Sequence, residues 1–80
     1  MPKERKYREL RELKGKLRAE GKSYKDVAEE VGMEVATLSN KINGHAEFKL
    51  NEIEKLVAIL NIKQENIAKY FFPDMLRKAN

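Results

Sequence analysis

Two short segments with helical patterns are separated only by Gly32 and Met33, and this connection constrains the fold more than any other feature of the chain. A connection of this length cannot lay two helices antiparallel, so the helices must cross steeply. The small side chain of Ala28 lets them approach, Gly32 supplies the backbone conformation of the turn, and Met33 and Leu38 provide inward apolar groups. The spacing predicts a helix-turn-helix.

Helical periodicity extends along the rest of the chain, because apolar residues recur every three or four positions and both prolines, Pro2 and Pro73, lie near the ends. We expect five helices and no strand, an all-α fold. The expected bounds are residues 4–20 before Gly21, a second helix capped by Ser23, a third over 34–43, a fourth from Leu50, and a last over 64–72 closed by Pro73. The expected inward residues are Tyr7, Leu10, Leu13, Leu17, Val27, Ala28, Val31, Leu38, Ile42, Phe48, Leu50, Ile53, Leu56, Val57, Leu60, Ile62 and Ile67.

The length of 80 residues fits one domain over residues 1–80, and 41% hydrophobic with 38% charged residues allows a small amphipathic globule with a thin core. The longest apolar stretch is far below the ~20 residues that a bilayer requires, so we expect no membrane span. No apolar segment follows Met1, so we expect no secretory signal and a cytoplasmic location. The absence of cysteine excludes disulfides and thiolate chemistry.

The basic residues are concentrated in the first part of the chain. Residues 1–25 carry ten basic and four acidic groups, a net charge of +6, whereas residues 26–80 carry seven basic and nine acidic groups. Such a positive end attracts polyanions. A solvated helix face with pairs such as Glu12–Lys16 would give the same pattern, so charge alone does not choose between the two interpretations.

Residues 23–33, followed by Thr37-Leu38-Ser39 and Asn43-Gly44, resemble the lambda-repressor-like helix-turn-helix family of the Cro/CI or XRE type. The resemblance covers about residues 7–73, and its outer segments are similar to a branch of small phage regulators. It implies a compact five-helix domain that binds double-stranded DNA as a homodimer, with the third helix in the major groove and the second bracing the phosphates. A single domain of this size has no sensor module, so we expect no small-molecule ligand, and we expect no cofactor.

The resemblance places base-reading residues on the third helix. The candidates are Glu34, Val35, Ala36, Thr37 and Asn40. Asn40 suits bidentate reading of adenine, the apolar Val35 and Ala36 suit thymine methyl groups, and Glu34 could accept from cytosine N4. If Val35 is buried instead, the groove-facing set becomes Ala36, Thr37, Asn40 and Asn43.

Phosphate contacts are expected around the same two helices. The candidates are Lys22, Ser23, Tyr24, Lys25, Lys41 and Asn43. Tyr24 stands where the family usually has Gln, and Lys41 stands where it is often apolar. Such contacts position a protein on DNA without specifying the sequence.

Three consecutive aromatic residues, Tyr70, Phe71 and Phe72, are candidates for a dimer interface, because three in a row cannot all face one core. Alternatively two of them seal the last helix and one ring remains at the surface.

His45 is expected at the surface of a loop, and a lone His without Cys is a poor metal site. No nucleophile, base and orienting residue occur in order, so we expect no enzymatic activity and no metal.

The resemblance, together with these patterns, implies a cytoplasmic, sequence-specific transcriptional regulator of repressor or Cro type, of phage or mobile-element origin, acting as a homodimer on a palindromic operator. Two other functions remain open. The fold could serve as a protein-interaction module, antirepressor-like or antitoxin-like, which the apolar Val35 and Ala36 beside Glu34 would suit. It could also bind nucleic acid without specificity through its basic N-terminal helix.

Overall fold

The computed structural model describes residues 6–78, and within them all regular secondary structure is helical, which confirms the all-α prediction. These residues form six α-helices rather than five. The helices are α1 (Arg11–Ala19), α2 (Tyr24–Val31), α3 (Val35–Ile42), α4 (Leu50–Ile59), α5 (Ile67–Phe71) and α6 (Pro73–Lys78), with a 3₁₀ turn at Gln64–Asn66. The Cα radius of gyration, 12.3 Å, is close to the ~12 Å of a compact chain of this length. None of the helices described is long and apolar enough to cross a bilayer.

The predicted pair of short helices is confirmed, and local hydrogen bonds explain its bounds. Ser23 caps α2, because its Oγ accepts from the backbone N–H of Asp26 at 3.1 Å. Gly32 ends α2 in the left-handed conformation, with φ of 91°. The N–H groups of Gly32 and Met33 both donate to the carbonyl of Ala28, at 2.8 and 2.9 Å. Three residues therefore separate α2 from α3.

The first helix is shorter than expected, because residues 6–10 form a non-helical segment, here called the strap. Lys6 and Tyr7 donate their backbone N–H groups to the carbonyl of Gly44, at 3.0 and 2.9 Å, and Leu10 donates to the carbonyl of Ile42 at 2.8 Å. These bonds hold the strap against the end of α3 and replace the first turns of the expected helix. Tyr7 is consequently 45% exposed rather than buried. Residues 4 and 5 of the expected helix lie outside the described residues.

The core lies between α1–α5 and agrees with most of the predicted inward positions. Its buried members are Leu10, Leu13, Leu17, Val27, Ala28, Val31, Leu38, Ile42, Ile53, Leu56, Leu60, Ile62 and Phe71. Phe48 packs against this cluster from the loop before α4, as predicted. The helical spacing of apolar residues therefore identified most of the core.

One prediction at a helix end is wrong and a second is incomplete. Leu50 is the first residue of α4 and is 73% exposed, because the apolar stripe turns inward only from Ile53 onward. A helix does end before Pro73, as predicted, since α5 stops at Phe71, but Pro73 also begins a further helix, α6, at a position where its missing N–H and fixed φ are favourable.

Candidate nucleic-acid interface

The outer face of α3 is open in the part of the chain that the structure describes. Glu34, Val35 and Ala36 are exposed there, and Val35 is 44% exposed. The alternative in which Val35 is buried is therefore wrong. Thr37 and Asn40 are half-buried beside this edge. The opposite face of the helix is anchored in the core by side chains that are fully buried, those of Leu38 and Ile42.

The N-terminus of α2 brings together three of the predicted phosphate contacts. Ser23 and Lys25 are exposed, and Tyr24 is half-buried with its ring against the core. The hydroxyl of Ser23 uses a lone pair for the cap and retains its hydrogen for donation. The N-terminus of a helix also carries partial positive charge, which favours anions. This arrangement of donors and positive charge can contact a phosphate.

Lys22 faces acidic groups rather than open solvent. Its Nζ lies 3.5 Å from Glu30 Oε1. Both residues line a shallow depression that Glu20, Asp26 and Glu29 also line. This surface repels a phosphate backbone, and the structure therefore does not favour the predicted phosphate role of Lys22.

Lys41 also forms an ion pair within the protein, which leaves it poorly placed to contact a phosphate. Its Nζ lies 2.6 Å from Oε1 of Glu52 on α4, and the two side chains are 10% and 15% exposed. This placement contradicts the predicted phosphate contact, because the charge is already neutralised inside the protein. Burial alone would raise the pKa of Glu52, but hydrogen bonds from Lys41 and from the backbone N–H of Lys49 outweigh burial and bring this pKa below its usual range.

Asn43 follows α3 directly and takes part in the hydrogen bonding of that helix end. Its Nδ2 donates to Ser39 Oγ at 3.2 Å, and its backbone N–H donates to the Ser39 carbonyl at 2.9 Å. The residue is half-buried. Its side chain therefore stabilises the end of α3. To contact a phosphate as predicted, the Asn43 side chain would have to combine that contact with its hydrogen bond to Ser39.

The segments beside the end of α3 carry two cations that sequence reasoning did not select. Lys6 is exposed on the strap, whose N–H groups donate to Gly44, and Lys49 is exposed directly before α4. The position of Lys49 before the apolar stripe of α4 was visible in the sequence, whereas the strap was not. Both cations extend the region that could meet a phosphate backbone.

His45, between these segments, is less exposed than predicted. Its backbone N–H donates to the Asn40 carbonyl at 2.9 Å. Its Nδ1 is buried and has no hydrogen-bond partner among the described residues. The imidazole therefore packs into the loop that joins α3 to α4 instead of standing on the surface.

The three aromatic residues near the C-terminus divide as the second sequence interpretation predicted. Phe71 is buried and meets Phe48 edge to face, with ring centroids 5.7 Å apart, while Tyr70 is half-buried. Phe72 remains 41% exposed. It lines an open groove of about 270 Å³ together with exposed Tyr7 and Met75. Of the three predicted dimer residues, Phe72 therefore presents its ring most fully to a partner.

The geometry above coincides with a region of known family similarity. The profile of a family described as Protein of unknown function (DUF739) matches residues 7–74. The chain belongs to this family. The matched region runs from the strap to the second residue of α6, so both helices of the candidate interface lie within the family's common sequence, and so do Tyr7 and Phe72 of the aromatic groove. No curated protein matches the chain.

Proposed function

We propose that this DUF739 protein is a sequence-specific, double-stranded DNA-binding transcriptional regulator of repressor or Cro type, of phage or mobile-element origin. The observation that carries the proposal is the open outer face of α3, from Glu34 to Asn40, on a helix whose inner residues Leu38 and Ile42 are fully buried. A short helix whose inner side is packed in the core and whose outer side is exposed can enter a major groove, which is about 12 Å wide. A regulator of this type works in the cytoplasm.

The side chains of the outer face have distinct roles in this proposal. Asn40 reads adenine through its amide, which can donate to N7 and accept from N6. Val35 and Ala36 contact thymine methyl groups, and Glu34 accepts from cytosine N4. The carboxylate of Glu34 also disfavours the approach of a phosphate, so it helps to hold the helix over bases rather than over the backbone.

Phosphate contacts come from the N-terminus of α2 and from exposed cations beside α3. Ser23, Tyr24 and Lys25 form the first group, and Lys6 and Lys49 form the second. Because each neutralised phosphate releases counterions, affinity falls steeply as the salt concentration rises. These contacts set the register on the duplex and leave discrimination to α3.

We further propose that the regulator is a homodimer on a palindromic operator, with half-sites about one helical turn (~34 Å) apart. The apolar groove between the strap and α6 supports this part of the proposal. Tyr7, Phe72 and Met75, three large apolar residues that are 41–63% exposed, line it together. Exposed apolar surface of this kind is typical of an interface.

A protein-interaction module is the second candidate function, and the same face of α3 favours it. Val35 and Ala36 are apolar and exposed, and acidic groups on α2, including Asp26 and Glu29, lie outside the core. The non-specific binder has less support, because Arg8, Lys14, Lys16 and Lys22 of the basic segment pair with carboxylates of the chain.

Selection of bound duplexes from a random pool at moderate salt tests the proposed function. Enrichment of a palindrome with two half-sites supports it. The absence of any duplex binding at low salt, together with a stable complex with another protein, would support the interaction module instead.

Variants then assign the contacts. Asn40→Ala should remove most of the preference for the selected duplex over a scrambled one, a loss of about 1–3 kcal/mol of discrimination. Lys25→Ala should weaken binding to both duplexes equally and reduce the slope of log affinity against log salt by about 1. Lys63→Ala, a change of the same kind at an exposed lysine between α4 and α5, is the control and should leave both affinities unchanged. Equal loss on both duplexes after Asn40→Ala would favour non-specific binding.

A further inference from the structure

The ion pair between α3 and α4 is well enclosed. Lys41 Nζ lies 2.6 Å from Glu52 Oε1, with side chains 10% and 15% exposed. By contrast, Lys69 Nζ lies 3.9 Å from Glu12 Oε1, and those side chains are 49% and 60% exposed. Solvent screens the second pair far more than the first. The first pair can therefore fix a geometry, whereas the second cannot.

Glu52 is itself held in place by the start of α4. The same Oε1 accepts the backbone N–H of Lys49 at 2.8 Å, a bond that satisfies one donor at the N-terminus of the helix. On the other side, Lys41 Nζ lies 6.0 Å from the centroid of the Phe48 ring. The carboxylate of Glu52 is thus held in place on α4, and Lys41 of α3 forms its ion pair with this carboxylate.

A second bond ties the same helix to α2. Lys55 Nζ on α4 donates to the carbonyl of Val31, the last residue of α2, at 3.3 Å. Because only residues 32–34 join α2 to α3, two polar ties from α4, one to each helix, restrict how α3 can turn relative to α2.

We propose that Glu52 is a positioning residue that sets, through Lys41, where the outer face of α3 stands relative to the N-terminus of α2, and that it thereby determines sequence discrimination. The proposal rests on the proposed function and deepens it. Base reading needs donor–acceptor distances of about 2.7–3.2 Å, so a small rotation of α3 breaks it, whereas phosphate contacts by flexible cations tolerate such a rotation. Lys41 acts in the protein and not on the DNA.

The variant Glu52→Gln tests this role. The amide keeps an oxygen that accepts from the N–H of Lys49, but it removes the charge opposite Lys41. We expect the affinity for the selected duplex to fall about tenfold, the worth of one bidentate base contact, while the affinity for a scrambled duplex is retained. Glu12→Gln, the same change in the exposed pair, should leave both affinities unchanged. A role limited to stability would lower both affinities together, and that result would overturn the proposal.

Lys41→Met separates positioning from direct DNA contact, because it keeps an apolar stem and removes the charge. We expect the same selective loss as for Glu52→Gln and an unchanged salt slope. The double variant should lose no more than either single variant, because all three remove one interaction. If Lys41→Met weakens both duplexes and lowers the salt slope by about 1, Lys41 contacts phosphate and the proposal is wrong.

Amide hydrogen exchange tests the positioning without DNA. In the full chain, both Glu52→Gln and Lys41→Met should increase exchange in the last turn of α3 about tenfold, with exchange in α1 unchanged. If the wild-type protein selects no duplex, the proposed function fails, and exchange still decides whether Glu52 holds α3. Unchanged exchange in both variants would overturn the positioning role. If Glu52→Gln does not fold, Lys41→Met provides the same two measurements.

Discussion

Replacing Gly44 with alanine should damage the junction between the strap and α3. Gly44 has φ of 90°, and a Cβ atom built there would clash with the backbone oxygen of Tyr7 and would lie 3.1 Å from its carbonyl carbon. Both atoms belong to backbone, so no side-chain rotation relieves the contact. The carbonyl of Gly44 also accepts the N–H groups of Lys6 and Tyr7, so relief must come at the expense of these hydrogen bonds.

The expected cost has two parts. An alanine at positive φ costs about 1–2 kcal/mol. Displacing the strap loses two backbone hydrogen bonds, each worth about 0.5–1.5 kcal/mol net. Together these give a loss of about 3 kcal/mol in the free energy of unfolding, a large part of the 5–15 kcal/mol typical of a domain. For a chain of this size the melting temperature should fall by about 12–24 °C.

Two other glycines serve as matched controls in thermal unfolding followed by circular dichroism. Gly32 has a nearly identical φ, 91°, but a Cβ there meets nothing within 4 Å, so Gly32→Ala should show the backbone cost alone, about 1–2 kcal/mol. Gly15 lies inside α1 with open space around it, so Gly15→Ala should stabilise the protein by up to about 1 kcal/mol.

The difference between Gly44→Ala and Gly32→Ala isolates the contact with the strap, because both variants share the backbone cost. If the two variants melt at the same temperature, residue 7 does not lie against Gly44 in solution. The course of the strap against the end of α3 would then be refuted as well, since the same residues make both the contact and the hydrogen bonds.

Two further predictions concern a helix cap and the enclosed ion pair. Ser23→Ala removes the acceptor for the Asp26 N–H and should lower the free energy of unfolding by about 1 kcal/mol, whereas Ser23→Asp keeps an acceptor and should not; equal losses in denaturant titrations would contradict the cap. The pKa of Glu52 is lowered in the folded state, so its stabilising contribution is fully present above the ordinary value of 4.5 and is lost as pH falls through the lower folded value. Unfolding measured from pH 7 to pH 3 should therefore depend less steeply on pH in Glu52→Gln, and identical slopes would refute the role of the pair.

Most of the core could be predicted because its signal is local. Leu13 and Leu17 on α1, like Leu38 and Ile42 on α3, are spaced by one helical turn, and all four are buried. Leu50 continues the same spacing but is exposed, because periodicity does not show where the body of the protein stops covering a helix.

The candidate site was likewise predictable only in part. The sequence was sufficient to group Glu34, Val35 and Ala36 on one short helix after a tight turn. It was insufficient to decide that Val35 is exposed, since its apolar side chain fits either a core or a thymine methyl. The roles of these residues on DNA stay predictions.

Lys41 shows most clearly why the remaining side-chain contacts could not be predicted from the sequence. On a helical wheel its charge suggests an exposed cation near DNA, but its partner, Glu52, lies 11 residues further along the chain on another helix. The pairing of Arg8 with Asp74 could not be predicted either, because the two residues are 66 positions apart in sequence. In the structure they form an ion pair at 2.6 Å.

Local sequence was enough to set the helical class, the cap at Ser23, the left-handed turn at Gly32 and the apolar faces, because each depends on hydrogen bonds and spacings within about one helical turn. The strap at residues 6–10, the inward turn of Lys41 and the groove beside Phe72 arise from the packing of the whole fold. Each of these depends on which helices pack side by side. A pairing across the fold can replace local preference when it satisfies backbone donors or encloses a charge, as Gly44 does for the strap and Glu52 does for Lys41.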